Sequence, residues 1–356
     1  ARRLFCRNFV PRQERKLIEC FLEPCGVSSE DARVISDVVS YSDFTGTYSH
    51  GLSRFLTYVR QYQSGALNPK PDIRKVCDSG AVVKYDCDHS SGLVAVNRVY
   101  ESVLEKAKTY GVAIGCASHA ANIGCGAYYG RRAESDGMLC IFMSNTYPAM
   151  APFGGAERLV GTNPIVMAAP AGEKTAPILD ISTSTVAIGK VTAYAREGKT
   201  MPEGWATDID GRPTTDASIA HAVTPVGGYK GYGLAVFVDI LSAVLTGTSY
   251  GAQIPFVTEM KYEDTGFALI LIDVERFMPL SDFKARIDDY ISMIKNSRKA
   301  VGVSEIFMPG EIENLKYTAN VKDGMDISDA TCLELTELAV SMGLLDKDGS
   351  LYDLCK

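Results

Sequence analysis

Apolar residues recur at helical spacing through the opening of the chain. Leu17, Cys20, Phe21 and Leu22 share one side of a stretch that is helical from residue 12 onward. The start signal Ser28-Ser29-Glu30-Asp31 opens a second helix through Val39, and residues 52–62 repeat the spacing. Gly65, Asn68, Pro69 and Pro71 break that run, after which 81–85 has the pattern of a strand and 97–110 that of a helix.

Strand and helix then alternate. Strands are expected at 112–116, 138–144, 165–169 and 178–181, with a helix near 126–135. Residues 205–216, rich in Asp, Gly, Pro and Thr, form an expected exposed excursion, followed by a strongly helical run at 231–245. A strand at 268–273, a helix at 281–295 and an amphipathic helix at 329–342 complete the pattern, the last able to pack back on the opening helices. The fold class is mixed α/β.

Composition narrows the function. With 356 residues, 46% of them apolar, the chain can bury a sizeable core. A net charge of −7 gives no footprint for nucleic acid. No apolar run approaches the roughly 20 residues of a membrane helix, and the first 15 residues carry no secretory h-region. The ten cysteines are scattered and contain no Cys-x-x-Cys pair, so they are expected to be reduced, as in a cytoplasmic protein.

Only four histidines exist, at 50, 89, 119 and 221. His50 stands in Tyr48-Ser49-His50-Gly51-Leu52-Ser53-Arg54, where a proton donor lies beside a forked cation four residues on. The alternative is a histidine preceding a helix and a solvated arginine. His119 sits in a loop after the 112–116 strand, where it either lines a site or makes a structural hydrogen bond. His89 and His221 are expected at the surface. No histidine pair has zinc-helix spacing, so no catalytic metal is expected. Gly124-Cys125-Gly126 with Gly130 reads G-x-G-x-x-x-G, stands clear of its strand and lacks the acidic partner of a Rossmann site, which makes close helix packing the better explanation. Residues 144–170 form a loop between apolar strands that is costly to keep without a ligand or tight packing. Asp180 with Ser182, Thr183 and Ser184 offers one carboxylate and three hydroxyls, and Lys230-Gly231 opens a helix whose amides suit a phosphate.

Taken in order, these segments resemble the type-2 malate/L-lactate dehydrogenase family over nearly the whole chain. The resemblance is carried by Ser49-His50-Gly51 with Arg54, Ala151-Pro152-Phe153-Gly154-Gly155, Gly161-Thr162-Asn163-Pro164, Asp180 with Ser182–Ser184, and Gly189-Lys190. Pro213-Thr214-Thr215-Asp216, Lys230-Gly231-Tyr232-Gly233-Leu234 and Pro309-Gly310-Glu311 extend it. It implies a nicotinamide-binding fold that is not Rossmann, with a helical, dimer-forming region from residues 1–115 plus 306–356 and a cofactor-binding α/β domain over 116–305.

The implied activity is hydride transfer between NAD or NADP and a small 2-oxo carboxylate, giving a 2-hydroxy acid. The chain would be a homodimer with its active site between subunits. Reduction of a cyclic ketimine carboxylate, or a non-catalytic binding protein of the same fold, are the alternatives. By the same carry-over His50 is the proton donor, Arg54 holds the substrate carboxylate, Asp180 supports the site, and Thr146 and Thr162 touch substrate. The cofactor falls to Asn122, Ile123, Gly124, Asp180, Ile181, Ser182, Thr183, Ser184, Lys230, Gly231, Gly310 and Glu311. Many family members place His-Phe-Gly where this chain has Asn122-Ile123-Gly124, and Asn cannot exchange a proton near neutral pH. Proton transfer therefore falls to His50, with His119 as the substitute.

Overall fold

A computed structural model describes residues 8–256 and 259–355. Residues 1–7 of the expected helical region lie outside them. The helices are α1 (Pro11–Leu22), α2 (Ser29–Phe44), α3 (Leu52–Ser64), α4 (Gly92–Tyr110), α5 (Gly126–Ser135), α6 (Ile188–Glu197), α7 (Tyr229–Asp239), α8 (Leu280–Lys295), α9 (Glu311–Asp323) and α10 (Asp329–Ser341). The strands are β1 (Arg74–Ser79), β2 (Val82–Ser90), β3 (Val112–Ala120), β4 (Met138–Ser144), β5 (Pro148–Met150), β6 (Val160–Gly161), β7 (Ile165–Ala168), β8 (Ile178–Ile181), β9 (Ala206–Thr207), β10 (Pro213–Thr214), β11 (Ala222–Val223) and β12 (Thr265–Asp273).

Seven strands make the main sheet in the order β1-β2-β3-β12-β4-β7-β8. Within it β2 and β3 run parallel, joined through α4, and the other pairings are antiparallel. A Rossmann site needs a mostly parallel sheet with a crevice where strand order reverses, and this sheet supplies neither. The sheet also runs across residue 115, because β2 pairs with β3 along its length. A smaller sheet, β10-β9-β11-β5-β6, packs its own apolar cluster of Met150, Val191, Met201, Ala206, Val223 and Ala235.

The main core joins both chain ends. Phe21 of α1 meets Phe55 of α3 edge to face at 6.0 Å, and both rings are fully buried. Each such ring contributes about 1.5–3 kcal/mol relative to exposure. Leu335, Leu338 and Ala339 of α10 enter the same cluster, so the closing helix packs on the opening ones as its pattern predicts. A two-way backbone bridge, Phe9 N to Met325 O at 2.8 Å and Met325 N to Phe9 O at 2.9 Å, seals that junction.

Where the structure departs from the pattern, burial explains why. Helix α4 starts five residues before the expected point, capped by Ser91, whose side chain accepts from Leu93 N. Its first turn, Gly92 to Val96, is buried all round and so has no polar face to mark a period. Strand β1 is exposed at every position, α6 buries Val191 alone, and α9 buries no residue. None of these offers a one-sided stripe. The 205–216 segment is not wholly an excursion: Ala206 is fully buried in the smaller sheet. The helix expected over 231–245 is α-helical only to Asp239, and Ile240–Val244 form a wider π turn. The expectation of ten reduced cysteines needs correcting at Cys332, which is disulfide-bonded, while eight other described cysteines are free. Among the described residues no helix is long and apolar enough to cross a membrane.

Candidate active site

The short turn Tyr48–His50 leads through Gly51 directly into α3, so His50 and Arg54 flank the start of that helix. Ser49 Oγ lies 3.0 Å from His50 Nδ1. Burial of the half-exposed imidazole, reinforced by the Arg54 cation, pushes its pKa down to about 4. His50 is therefore neutral at physiological pH.

Arg54 donates from Nη2 to Glu263 Oε1 at 3.2 Å, and the two side chains are only 15% and 4% exposed. Gln61 Nε2 donates to the same oxygen at 3.2 Å. The guanidinium carbon stands 5.6 Å from the Tyr58 ring centroid. Residues 54, 58 and 61 follow the i, i+4, i+7 rule of one helix face, so Tyr58 and Gln61 were legible partners of Arg54 that motif reasoning passed over. Glu263 carries no such signal. Arg54 Nε is buried without a hydrogen-bond partner.

The loop after β3 is tied to this face. Tyr58 Oη donates to Asn122 Oδ1 at 2.7 Å, and Gly124 N donates to the same atom at 3.0 Å. Asn122 thus holds the loop's shape through an acceptor that imidazole could offer only from a ring nitrogen. Ile123 beside it is buried. The loop enters α5, whose N-cap residue Cys125 gives no side-chain cap. Asp180 of β8 fills that role, its Oδ2 accepting from Ala127 N at 2.7 Å and facing Cys125 Sγ at 3.9 Å. Although the strand's outer side is open to solvent, burial of the carboxyl raises Asp180 to about 6, against the lowering pull of the Ala127 amide.

Thr146 and Thr162 come together, with hydroxyls 3.4 Å apart. Asn163 Oδ1 accepts from Thr146 N at 3.0 Å. The neighbouring Tyr147 is packed against Phe256 at 5.4 Å, and its hydroxyl senses the charges of Arg54, Glu263 and Arg158. Thr162 in turn accepts at its carbonyl from Thr183 N at 2.9 Å and Thr183 Oγ1 at 3.0 Å. Ser182 and Ser184 hydroxyls lie 3.0 Å apart on the turn beyond the exposed Ile181.

Gly231 brings α7 onto this turn. A Cβ there would stand 2.5 Å from Val226 O and 2.6 Å from Thr183 O, so no larger residue fits without movement. The first turn of α7, with exposed Lys230, has no side-chain cap. On the other side of β8, Ile178 N donates to Pro309 O at 3.0 Å, which seats Gly310 and Glu311 against the strand. Glu311 Oε2 accepts from Met308 N at 2.8 Å and its other oxygen pairs with Lys295. Of the segments named for the cofactor, Gly310 and Glu311 thus meet β8, Gly231 meets the turn after it, and the 122–124 loop connects to it through Asp180 and the start of α5. His119 lies elsewhere in the bonding pattern: its Nδ1 is 3.1 Å from Asp86 Oδ1 and its ring 6.0 Å from His89.

The model of the malate/L-lactate dehydrogenase family matches residues 10–336. The chain belongs to this family. It is 39% identical over 341 residues to the L-sulfolactate dehydrogenase of Methanocaldococcus jannaschii, covering 95% of this chain and 98% of that one. A solved structure of sulfolactate dehydrogenase from that organism has a TM-score of 0.89, at 37% identity, and covers 97% of this chain and 99% of its own. The NAD(+) ureidoglycolate dehydrogenase of Escherichia coli strain K12 is 30% identical over 316 residues, 88% of this chain and 90% of the relative. The solved delta1-piperideine-2-carboxylate reductase of Pseudomonas syringae is 26% identical, with a TM-score of 0.85 over 94% of this chain and 100% of that one. Membership accounts for the absent Rossmann crevice, since fold and fingerprint depart from that plan together.

Proposed function

We propose that the chain reversibly reduces a small 2-oxo acid to a 2-hydroxy acid with NADH or NADPH. One observation carries the reading: a guanidinium with a buried Nε, unpartnered among the described residues, stands four residues from a half-buried imidazole. An orphaned buried donor on a permanent cation is satisfied by an anion, and a substrate carboxylate is the natural one. The relatives named for sulfolactate, malate and ureidoglycolate all act on acids of this class.

The residues present suit a dinucleotide: an uncapped helix start with Lys230 and the hydroxyls of Ser182, Thr183 and Ser184 offer donors to phosphate and ribose. Bound there, the cofactor supplies or accepts the hydride. Arg54 would fix the carboxylate and so aim the adjacent carbonyl. Burial is the larger cause of the low His50 pKa, and arrival of that anion removes the smaller one by offsetting the Arg54 charge, which shifts the imidazole toward its protonated form. His50 then gives it to the carbonyl oxygen as the carbon accepts hydride; in the reverse direction neutral His50 removes the hydroxyl proton. General acid catalysis of this kind is worth roughly 10²- to 10⁴-fold. Thr146 and Thr162 line the substrate side, and Asp180 supports the loop at 122–124.

A ketimine carboxylate would use the same clamp, and the similarity to the piperideine carboxylate reductase favours this as the second reading. The test is turnover, followed through NADH and NADPH absorbance, on a panel of 2-oxo acids and a panel of cyclic imines, with H50A and R54A beside the wild type. Loss of turnover in both variants is expected; variants as active as wild type overturn the assignment. A chain that neither turns over any panel member nor melts higher with either dinucleotide is a binding protein of this fold. The reading also includes a homodimer in the cytoplasm, with the helices of both chain ends beside the cofactor-binding part. Exposed Leu234, Phe237, Val244 and Leu245 give α7 and its π turn an apolar face suited to a second copy.

A further inference from the structure

Two carboxyl groups lie buried beneath the turn that presents His50. Glu14 of α1 is fully buried, and among the described residues no donor meets either of its carboxyl oxygens in good hydrogen-bond geometry. Asp43, near the end of α2, is 4% exposed and meets Glu14 within hydrogen-bonding reach. Two ionised carboxylates are acceptors only, so this contact needs one proton between them.

Asp43 has a second contact. Its Oδ2 accepts from Leu52 N at 2.6 Å, at the first residue of α3. The N-cap residue of α3 is Gly51, which has no side chain to cap with. A Cβ at that position would stand 2.0 Å from the Asp43 carboxyl, so glycine is what lets the acid reach the helix end. Asp43 therefore caps α3 from another helix, and an anion there complements the helix dipole. His50 is one residue before this cap and Arg54 two residues after Leu52.

The surroundings decide where the proton sits. Burial, then the neighbouring Asp43, raises Glu14 well above the usual carboxyl range, while the Arg15 cation and the Ser40 hydroxyl pull the other way. Burial raises Asp43 too, but Asp43 alone accepts a backbone amide, Leu52 N at 2.6 Å, and that donor favours the anion on Asp43.

We propose that Glu14 and Asp43 share one proton and serve as positioning residues, with neutral Glu14 donating to an Asp43 anion that pins the start of α3 and sets His50 against Arg54. This rests on the reading of His50 and Arg54 given above. A misplacement of about 1 Å in such a constellation can cost 10²-fold in rate.

The full-length chain with cofactor tests it in two independent ways. In the first, infrared difference spectra at neutral pH compare wild type with E14Q. A protonated carboxyl band present in wild type and missing from E14Q supports the shared proton; identical spectra overturn it, whatever the enzyme's activity. The second compares D43N, E14Q and E14L on the 2-oxo acid turned over fastest. D43N and E14L should raise the KM for that acid about tenfold while the KM for the dinucleotide stays within twofold. E14Q, which still donates to Asp43, should keep both constants within twofold of wild type. Equal losses on both KM values, or none, would make the pair merely structural and sink the proposal. If D43N does not fold, D43S retains a capping acceptor without the charge and is read in the same way. Activity surviving in H50A and R54A would strike the reading of the site instead, and the infrared comparison would still judge the pair.

Discussion

Replacing Gly231 by Ala probes the join between α7 and the 182–184 turn proposed to hold the cofactor. The added methyl would stand 2.5 Å from Val226 O, 2.6 Å from Thr183 O and 2.6 Å from Val226 N, all backbone atoms with no rotamer to yield. Forcing extra volume into such a contact typically costs about 1–3 kcal/mol. The cost can be carried in two places. If the native geometry is kept under strain, unfolding entropy of about 2 cal/mol/K per residue converts it to a fall in Tm of about 1–4 °C. If α7 moves off the 182–184 turn instead, the same energy appears as dinucleotide affinity weakened about 5- to 150-fold. Differential scanning calorimetry and fluorescence titration with NADH and NADPH measure the two terms on one preparation. A variant with wild-type Tm and wild-type affinity for both cofactors refutes the argument that this close approach builds the cofactor site.

Four further outcomes are expected. In an NMR titration, the imidazole resonance missing from H50Q should titrate near 4, and a 2-oxo acid analogue such as oxamate should move it upward; an unshifted value near 6.5 would contradict burial beside Arg54. Because the folded pKa lies below the unfolded one, His50 costs stability only as pH falls below about 6.5, and H50Q should flatten that decline. R54K keeps a cation but loses the planar fork, so the KM for the 2-oxo acid should rise at least tenfold with cofactor affinity unchanged. F237E places a charge on a side chain 66% exposed on α7; if the proposed dimer uses this face, sedimentation should show weaker association with unaltered far-UV dichroism, and an unchanged association constant would exclude this face.

Legibility followed one-sided burial. Helices α1, α3 and α10 bury a face and leave a face wet, and their spacing announced them. Helix α9 and strand β1 bury nothing in this chain, so no period could reveal them. Within the candidate site, Ser49-His50-Gly51 and Arg54 stand out in the sequence because the residue types are scarce and their spacing short. Glu263, more than two hundred residues from Arg54, does not, because only the folded loop before β12 brings it there. Asp43 was invisible for a different reason. A helix cap supplied by another helix leaves no local signature, and Gly51 alone hinted that something had to come close.

Helix α7 serves two neighbours at once: Gly231 at one end packs on the 182–184 turn, while Phe237, and Val244 and Leu245 beyond it, stand exposed. Whatever seats that outer surface also steadies the end proposed above to meet the cofactor's phosphate. Specific activity should therefore depend on how concentrated the enzyme is, falling on dilution before any loss of folded chain can be detected.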